Sequence, residues 1–142
     1  MSNQLECGCH CGNLKARYQA PSPIAEWVIR ECQCSFCRAH GSRTVADAAG
    51  RLELRVADEK LLSRYRWGLA TADFLVCKRC GIYLAAVLDS NGRSVATLNI
   101  NTVTDRALFN RPALPGNYDA ETADQRIARR LLVWTPCTTM VG

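Results

Sequence analysis

Eight of the nine cysteines fall in three tight clusters, and this limits what the chain can fold into more than any other feature. Cys7, Cys9 and Cys11 alternate in E-C-G-C-H-C-G. Cys32, Cys34 and Cys37 lie in E-C-Q-C-S-F-C-R, Cys77 and Cys80 in V-C-K-R-C-G, and Cys137 stands alone. Nine is an odd number, which counts against a fully paired disulfide framework. Met1 to Glu6 is polar and lacks the apolar stretch of a secretory signal. No run of about 18 apolar residues marks a membrane span. The expectation is a cytoplasmic chain with reduced thiols, where clustered cysteines point to metal.

Zinc takes four ligands in a tetrahedron, and thiolate is its usual structural ligand. A C-x-x-C followed by glycine is a knuckle whose turn brings both sulfurs to one metal. Cys77-Lys78-Arg79-Cys80-Gly81 has this form and supplies two ligands. Residues two apart share a strand face, so Cys9 and Cys11 can supply two more. Cys32, Cys34 and Cys37 are close enough to hold a second metal alone, with its fourth position open, the mark of a catalytic zinc. The spacing therefore suggests a closed four-thiol site and an open three-thiol site. It leaves open that both sites are structural, with Cys7 or Cys137 completing the second.

The 142 residues are 48% hydrophobic and 22% charged, a globular balance read as one domain over 1–142. Mainly β structure is expected. Leu14, Ala16 and Tyr18 alternate against Lys15, Arg17 and Gln19, and L-E-L-R-V at 52–56 repeats the pattern. Further strand-like runs are 27–31, 44–48, 62–67, 74–76, 82–88 and 94–100. Asn91-Gly92 between two apolar runs is a hairpin signal. Residues 110–118 carry two prolines and a glycine and read as an irregular loop. Thr122 can cap one short C-terminal helix, in which Ile127, Leu131 and Trp134 recur at helical spacing. The arginines of that helix read as a solvated face.

The combination of C-H-C-G at 9–12, C-Q-C-S-F-C-R at 32–38 and F-L-V-C-K-R-C-G at 74–81 resembles the three ordered motifs of the glutathione-dependent formaldehyde-activating family, which includes the centromere protein V group. V-A-T-L-N-I-N-T-V at 95–103 is similar to that family's closing strand. The resemblance implies a β-tent, a zinc-stapled, mostly antiparallel sheet assembly. It implies two zinc ions, a structural one on Cys9, Cys11, Cys77 and Cys80 and a catalytic one on Cys32, Cys34 and Cys37. It also implies a carbon–sulfur lyase, S-(hydroxymethyl)glutathione synthase-like, with glutathione as co-substrate and formaldehyde or another small aldehyde as partner. Cys7 stands where the family usually has glycine, and Cys137 has no counterpart.

Arg38 and His40 are the candidate substrate contacts, the first for a carboxylate and the second for a proton. Arg43 is a further carboxylate candidate, and ordinary surface positions are the plainer account of all three. Asn99 and Asn101, read on one strand face, line a cleft or simply face outward. His10 points away from the first site, and Trp27, Trp67 and Trp134 belong to the core or a cleft wall. Two other functions fit the same residues: a non-enzymatic zinc module for protein or nucleic acid, and a thiol or metal sensor using Cys7 or Cys137. The basic excess of 18 over 13 is carried almost entirely by arginine. Seven ionised thiols around two Zn²⁺ would reduce the formal +5 to about +2, which favours a small anionic thiol over nucleic acid.

Overall fold

The computed structural model describes residues 3–142. Eleven strands form one branched, mixed sheet. β1 (Gln4–Gly8) and β2 (Leu14–Gln19) make an antiparallel hairpin, and β2 pairs antiparallel with β5 (Arg51–Val56). The alternation in β2 and β5 sends Leu14, Ala16, Tyr18, Leu52, Leu54 and Val56 into the core. This follows from period-two patterning on a sheet with one wet face.

The second part of the sheet is built around β9 (Arg93–Asn99). It pairs with β8 (Tyr83–Ser90) and with β4 (Thr44–Val45). β8 continues through β7 (Asp73–Cys77) to β6 (Leu62–Tyr65), and β4 continues to β3 (Arg30–Cys32). The β8–β9 turn is the expected hairpin: Asn91 and Gly92 both take positive φ, 51° and 78°, as a two-residue primed turn requires. Tyr83 to Leu88 is buried throughout, because β8 divides two apolar clusters. Leu84, Ala85 and Val87 join the larger one, with Leu54, Leu98 and Cys77. Tyr83, Ala86 and Leu88 join the smaller one, with Phe74, Val95 and Trp134.

The mainly β class and the C-terminal helix match the reading of the sequence. α2 (Ala123–Val133) is capped by Thr122, whose Oγ1 accepts from Gln125 N at 3.2 Å while Gln125 Oε1 accepts from Thr122 N at 2.9 Å. This reciprocal capping box satisfies two N-terminal donors. Ile127 and Leu131 pack on the smaller cluster.

Four features add to the expectation or differ from it. First, the mostly antiparallel sheet carries two parallel pairs: β11 (Thr135–Val141) pairs parallel with β5, and β10 (Leu114–Gly116) pairs parallel with β3. β11 also joins the two parts of the sheet, since Thr135 and Pro136 pair with β9 before Cys137 to Val141 pair with β5. Second, β10 lies within the stretch read as irregular. Third, the run at 27–31 pairs as a strand only from Arg30, after a 3-10 turn (Ile24–Glu26) that delivers Trp27 into the core. There its indole donates to Ser22 O at 2.8 Å. Fourth, α1 (Ser35–His40) is helical, with Gly41 closing it at φ 58°.

The cap on α2 gives the first prediction. Thr122→Ala should destabilise the protein by about 1 kcal/mol, read as a lower urea midpoint with an unchanged slope. A stability equal to the parent would mean that the cap contributes nothing.

Candidate metal centre and cleft

The turn between β1 and β2 carries Cys9 and Cys11, Cys77 ends β7, and Cys80 lies in the turn that leads to β8. Cys9 N donates to Leu14 O, and Leu14 N donates to Cys9 Sγ at 3.2 Å. In the other turn Gly81 N donates to Cys77 O, and Gly81 has φ 79°, the left-handed conformation for which this knuckle needs glycine. The four sulfurs lie within 4.8 Å of one another. Cys11 Sγ is 3.5 Å from Cys77 Sγ and 3.8 Å from Cys9 Sγ. Sulfurs at about 2.3 Å from a tetrahedral zinc stand about 3.8 Å apart, so the donor set fits such an ion. Burial pushes the Cys9 thiol up to about 11. Burial also acts to raise Cys80, but backbone N–H donors at Cys11 and Ile82, with the neighbouring thiols, hold it at about 6. His10, between Cys9 and Cys11, is exposed.

The second cluster rests on β3 and α1. Cys32 ends β3, Cys34 caps α1, and Cys37 lies in its first turn, so Cys37 N donates to Cys34 Sγ at 3.4 Å. The three sulfurs lie within 4.8 Å of one another, and among the described residues no fourth Cys, His, Asp or Glu joins them. Hydrogen bonds from Cys32 and Cys37 hold Cys34 down at about 2, while the same contacts push Cys37 upward. Thiols bind metal as thiolates, so metal binding at this cluster would release protons.

These three cysteines border a cleft of about 290 Å³. Phe74 and Tyr83 line it, and Phe36 of α1 packs against both, with ring centroids 4.6 Å from Phe74 and 5.0 Å from Tyr83. Trp67 and Trp134 stand in the walls, as does α2 through Arg126, Arg129 and Arg130. Glu121 holds Arg129, with Nε at 2.8 Å, and Arg126 at 3.4 Å. Arg129 also lies 3.6 Å over the Tyr118 ring. The solvated face expected for this helix is thus in part a cleft wall. In the sequence, nothing distinguishes these arginines from surface ones.

The candidate contacts named from the sequence lie elsewhere. Arg38 and His40 are exposed on α1, and neither borders the cleft. His40 packs on Phe36 at 4.5 Å and on Tyr83 at 5.6 Å. Arg43 donates to Asn101 Oδ1 at 3.2 Å and to Phe109 O at 2.9 Å, beside a separate pocket. Asn99 and Asn101 do not share a strand face. Asn99 is buried and donates to Tyr83 O at 2.9 Å, whereas Asn101 lies in the following 3-10 turn. Cys7 and Cys137 join neither cluster. Burial pushes Cys7 up to about 11 and Cys137 to about 12.

A family model for the glutathione-dependent formaldehyde-activating enzyme matches residues 4–115. The chain belongs to that family. A solved protein from Rhodobacter sphaeroides, a structural-genomics target, is similar over 78% of this chain and 98% of its own. The two share 28% identity, with a TM-score of 0.53. No curated protein matches the chain at a significant level. The match by the family model ends before α2 and β11 begin. No helix among the described residues is long and apolar enough to cross a membrane.

The two thiols outside the clusters give a second prediction. With a raised pKa, Cys137 stays protonated until the pH nears 12, so at pH 8 only about one molecule in ten thousand carries its thiolate. Iodoacetamide at pH 8 should leave Cys137 unmodified in the folded, metal-loaded protein and label it fully in guanidinium. Rapid labelling of the folded protein at Cys137, found by peptide mass mapping, would contradict this.

Proposed function

We propose that the protein is a zinc-dependent carbon–sulfur lyase-type enzyme that joins glutathione, or a similar thiol, to formaldehyde or another small aldehyde. The observation that carries this reading is the three-sulfur cluster of Cys32, Cys34 and Cys37, which opens on a cleft and has no fourth protein ligand among the described residues. Family membership supports the same reaction class. Cys9, Cys11, Cys77 and Cys80 would hold a structural zinc, and Cys32, Cys34 and Cys37 a catalytic one. Bound at the three-thiol site, zinc would supply a Lewis acid that favours the thiolate form of a substrate thiol at neutral pH.

The chain's own residues prepare the reaction in three ways. Cys37 N fixes Cys34 Sγ, so the cluster is held by the helix cap and not by a mobile loop. Phe74 and Tyr83, held from behind by Phe36, give the cleft an apolar surface that limits water around the reacting atoms. The arginines of α2 place positive charge beside the cleft, which draws in an anionic thiol. The thiolate sulfur adds to the aldehyde carbon, and the carbonyl oxygen takes a proton to give an S-hydroxyalkyl product. Holding the two reactants together is the main contribution expected of the protein, because three thiolates weaken the acidity of their metal.

Protein purified under reducing conditions should contain two zinc ions per chain, by our reading of the two clusters. Cys34→Ser should lower this to about one and abolish adduct formation, while the far-ultraviolet circular dichroism stays that of the parent. Cys77→Ala should instead unfold the chain or make it insoluble, since a structural zinc supplies folding energy directly. The reaction itself is tested by titrating glutathione with and without formaldehyde. If glutathione neither binds the zinc-loaded protein nor changes the Cys32, Cys34 and Cys37 site, the proposed activity is wrong.

A further inference from the structure

Two residues that line the cleft carry a buried N–H donor with no hydrogen-bond partner in the protein: Arg130 at Nε and Trp67 at Nε1. Buried donors of this kind are nearly always satisfied, so two in one cleft indicate that a bound molecule supplies the acceptors. Arg130 is only 9% exposed. Its Nη1 donates to Thr71 Oγ1 at 2.8 Å, and its guanidinium lies 4.5 Å over the Trp134 ring. These contacts hold the planar fork in place without neutralising it. Glu121 is occupied by Arg126 and Arg129, and no carboxylate pairs with Arg130 among the described residues. The cleft's own carboxylate, Asp119, is exposed and stands against four arginines, Arg30 being the fourth.

We propose that Arg130 and Trp67 form a carboxylate subsite beside the three-cysteine cluster, with Arg130 Nε–H and Trp67 Nε1–H donating to the oxygens of a carboxylate-bearing reactant. This deepens the proposed reaction and rests on it only for the identity of the reactant. A guanidinium edge and an indole N–H are donors alone and call for an acceptor, and the guanidinium charge favours a carboxylate over a neutral amide or ester. Arg130 lies beyond residues 4–115 and Trp67 within them, so the subsite joins the family-matched region to the segment that follows it. Either the thiol or the aldehyde can carry the carboxylate.

The test uses zinc-loaded protein and follows the Trp67 indole N–H resonance, assigned by its absence in Trp67→Phe. Propionate should shift it and propionamide should not. Arg130→Gln should abolish the propionate response and weaken glutathione by about tenfold or more, while glutathione diethyl ester binds parent and variant alike. Arg130→Lys should recover only part of the loss, because lysine restores the charge and not the fork. Glutathione against its ester, and glyoxylate against acetaldehyde, show which reactant supplies the carboxylate.

Equal shifts with propionate and propionamide would overturn the subsite. So would Arg130→Gln weakening acid and ester by the same factor, the result expected if Arg130 only balances the cysteine cluster. Should Arg130→Gln fail to fold, the propionate and propionamide comparison on the parent still decides. A propionate response without any glutathione binding would refute the proposed reaction and keep the subsite. Adduct formation without a propionate response would do the reverse.

Discussion

The convergence of four sulfurs from two distant turns is the constraint on which the rest of the structure depends. Cys11 and Cys77 are 66 residues apart in the chain and 3.5 Å apart at their sulfurs. Closing so long a loop is costly in entropy before any contact forms, and a shared metal is one way to offset that cost. The junction ties the end of the β1–β2 hairpin to the start of β8. It thereby sets the larger core, where Cys9 and Cys77 pack among Leu14, Leu54 and Leu84.

With that side closed, β8 presents its other residues to a smaller, more aromatic cluster. Tyr83 and Ala86 face the space between α1, β7 and α2. The two cysteine groups therefore have different surroundings for a simple reason. One joins two turns around a closed ring of four donors. The other has donors from β3 and α1 only, and its remaining side meets the cleft. The cleft beside the three cysteines owes its arginine-bearing wall to the placement of α2. That helix lies beyond the family-matched region, yet it completes the site.

Local patterns in the chain were readable wherever a single element decided the outcome. β2 and β5 followed from alternation, the β8–β9 turn from Asn91-Gly92, and α2 from Thr122 and the spacing of Ile127 and Leu131. α1 was not readable, because six residues are too few to show a helical period. Its spacing of Cys34 and Cys37 reads equally well as a loop around a metal. β10 and β11 were missed because their parallel partners are remote, so pairing was decided by neighbours and not by propensity. Arg130 and Trp67 were missed as donors, since an orphaned N–H exists only once the surrounding chain has packed.

The sequence by itself determined the chemistry available to this protein: seven thiols in groups of the right size and spacing for metal, and the strands that carry them. Ligand type and short-range spacing are local properties, and they survive any rearrangement of the chain around them. Tertiary structure alone decided which cluster was closed and which faced a cleft. It also turned part of a helix that reads as a solvated face into a wall of guanidinium groups. Burial and the loss of hydrogen-bond partners are properties of packing, and they arise only when distant elements meet.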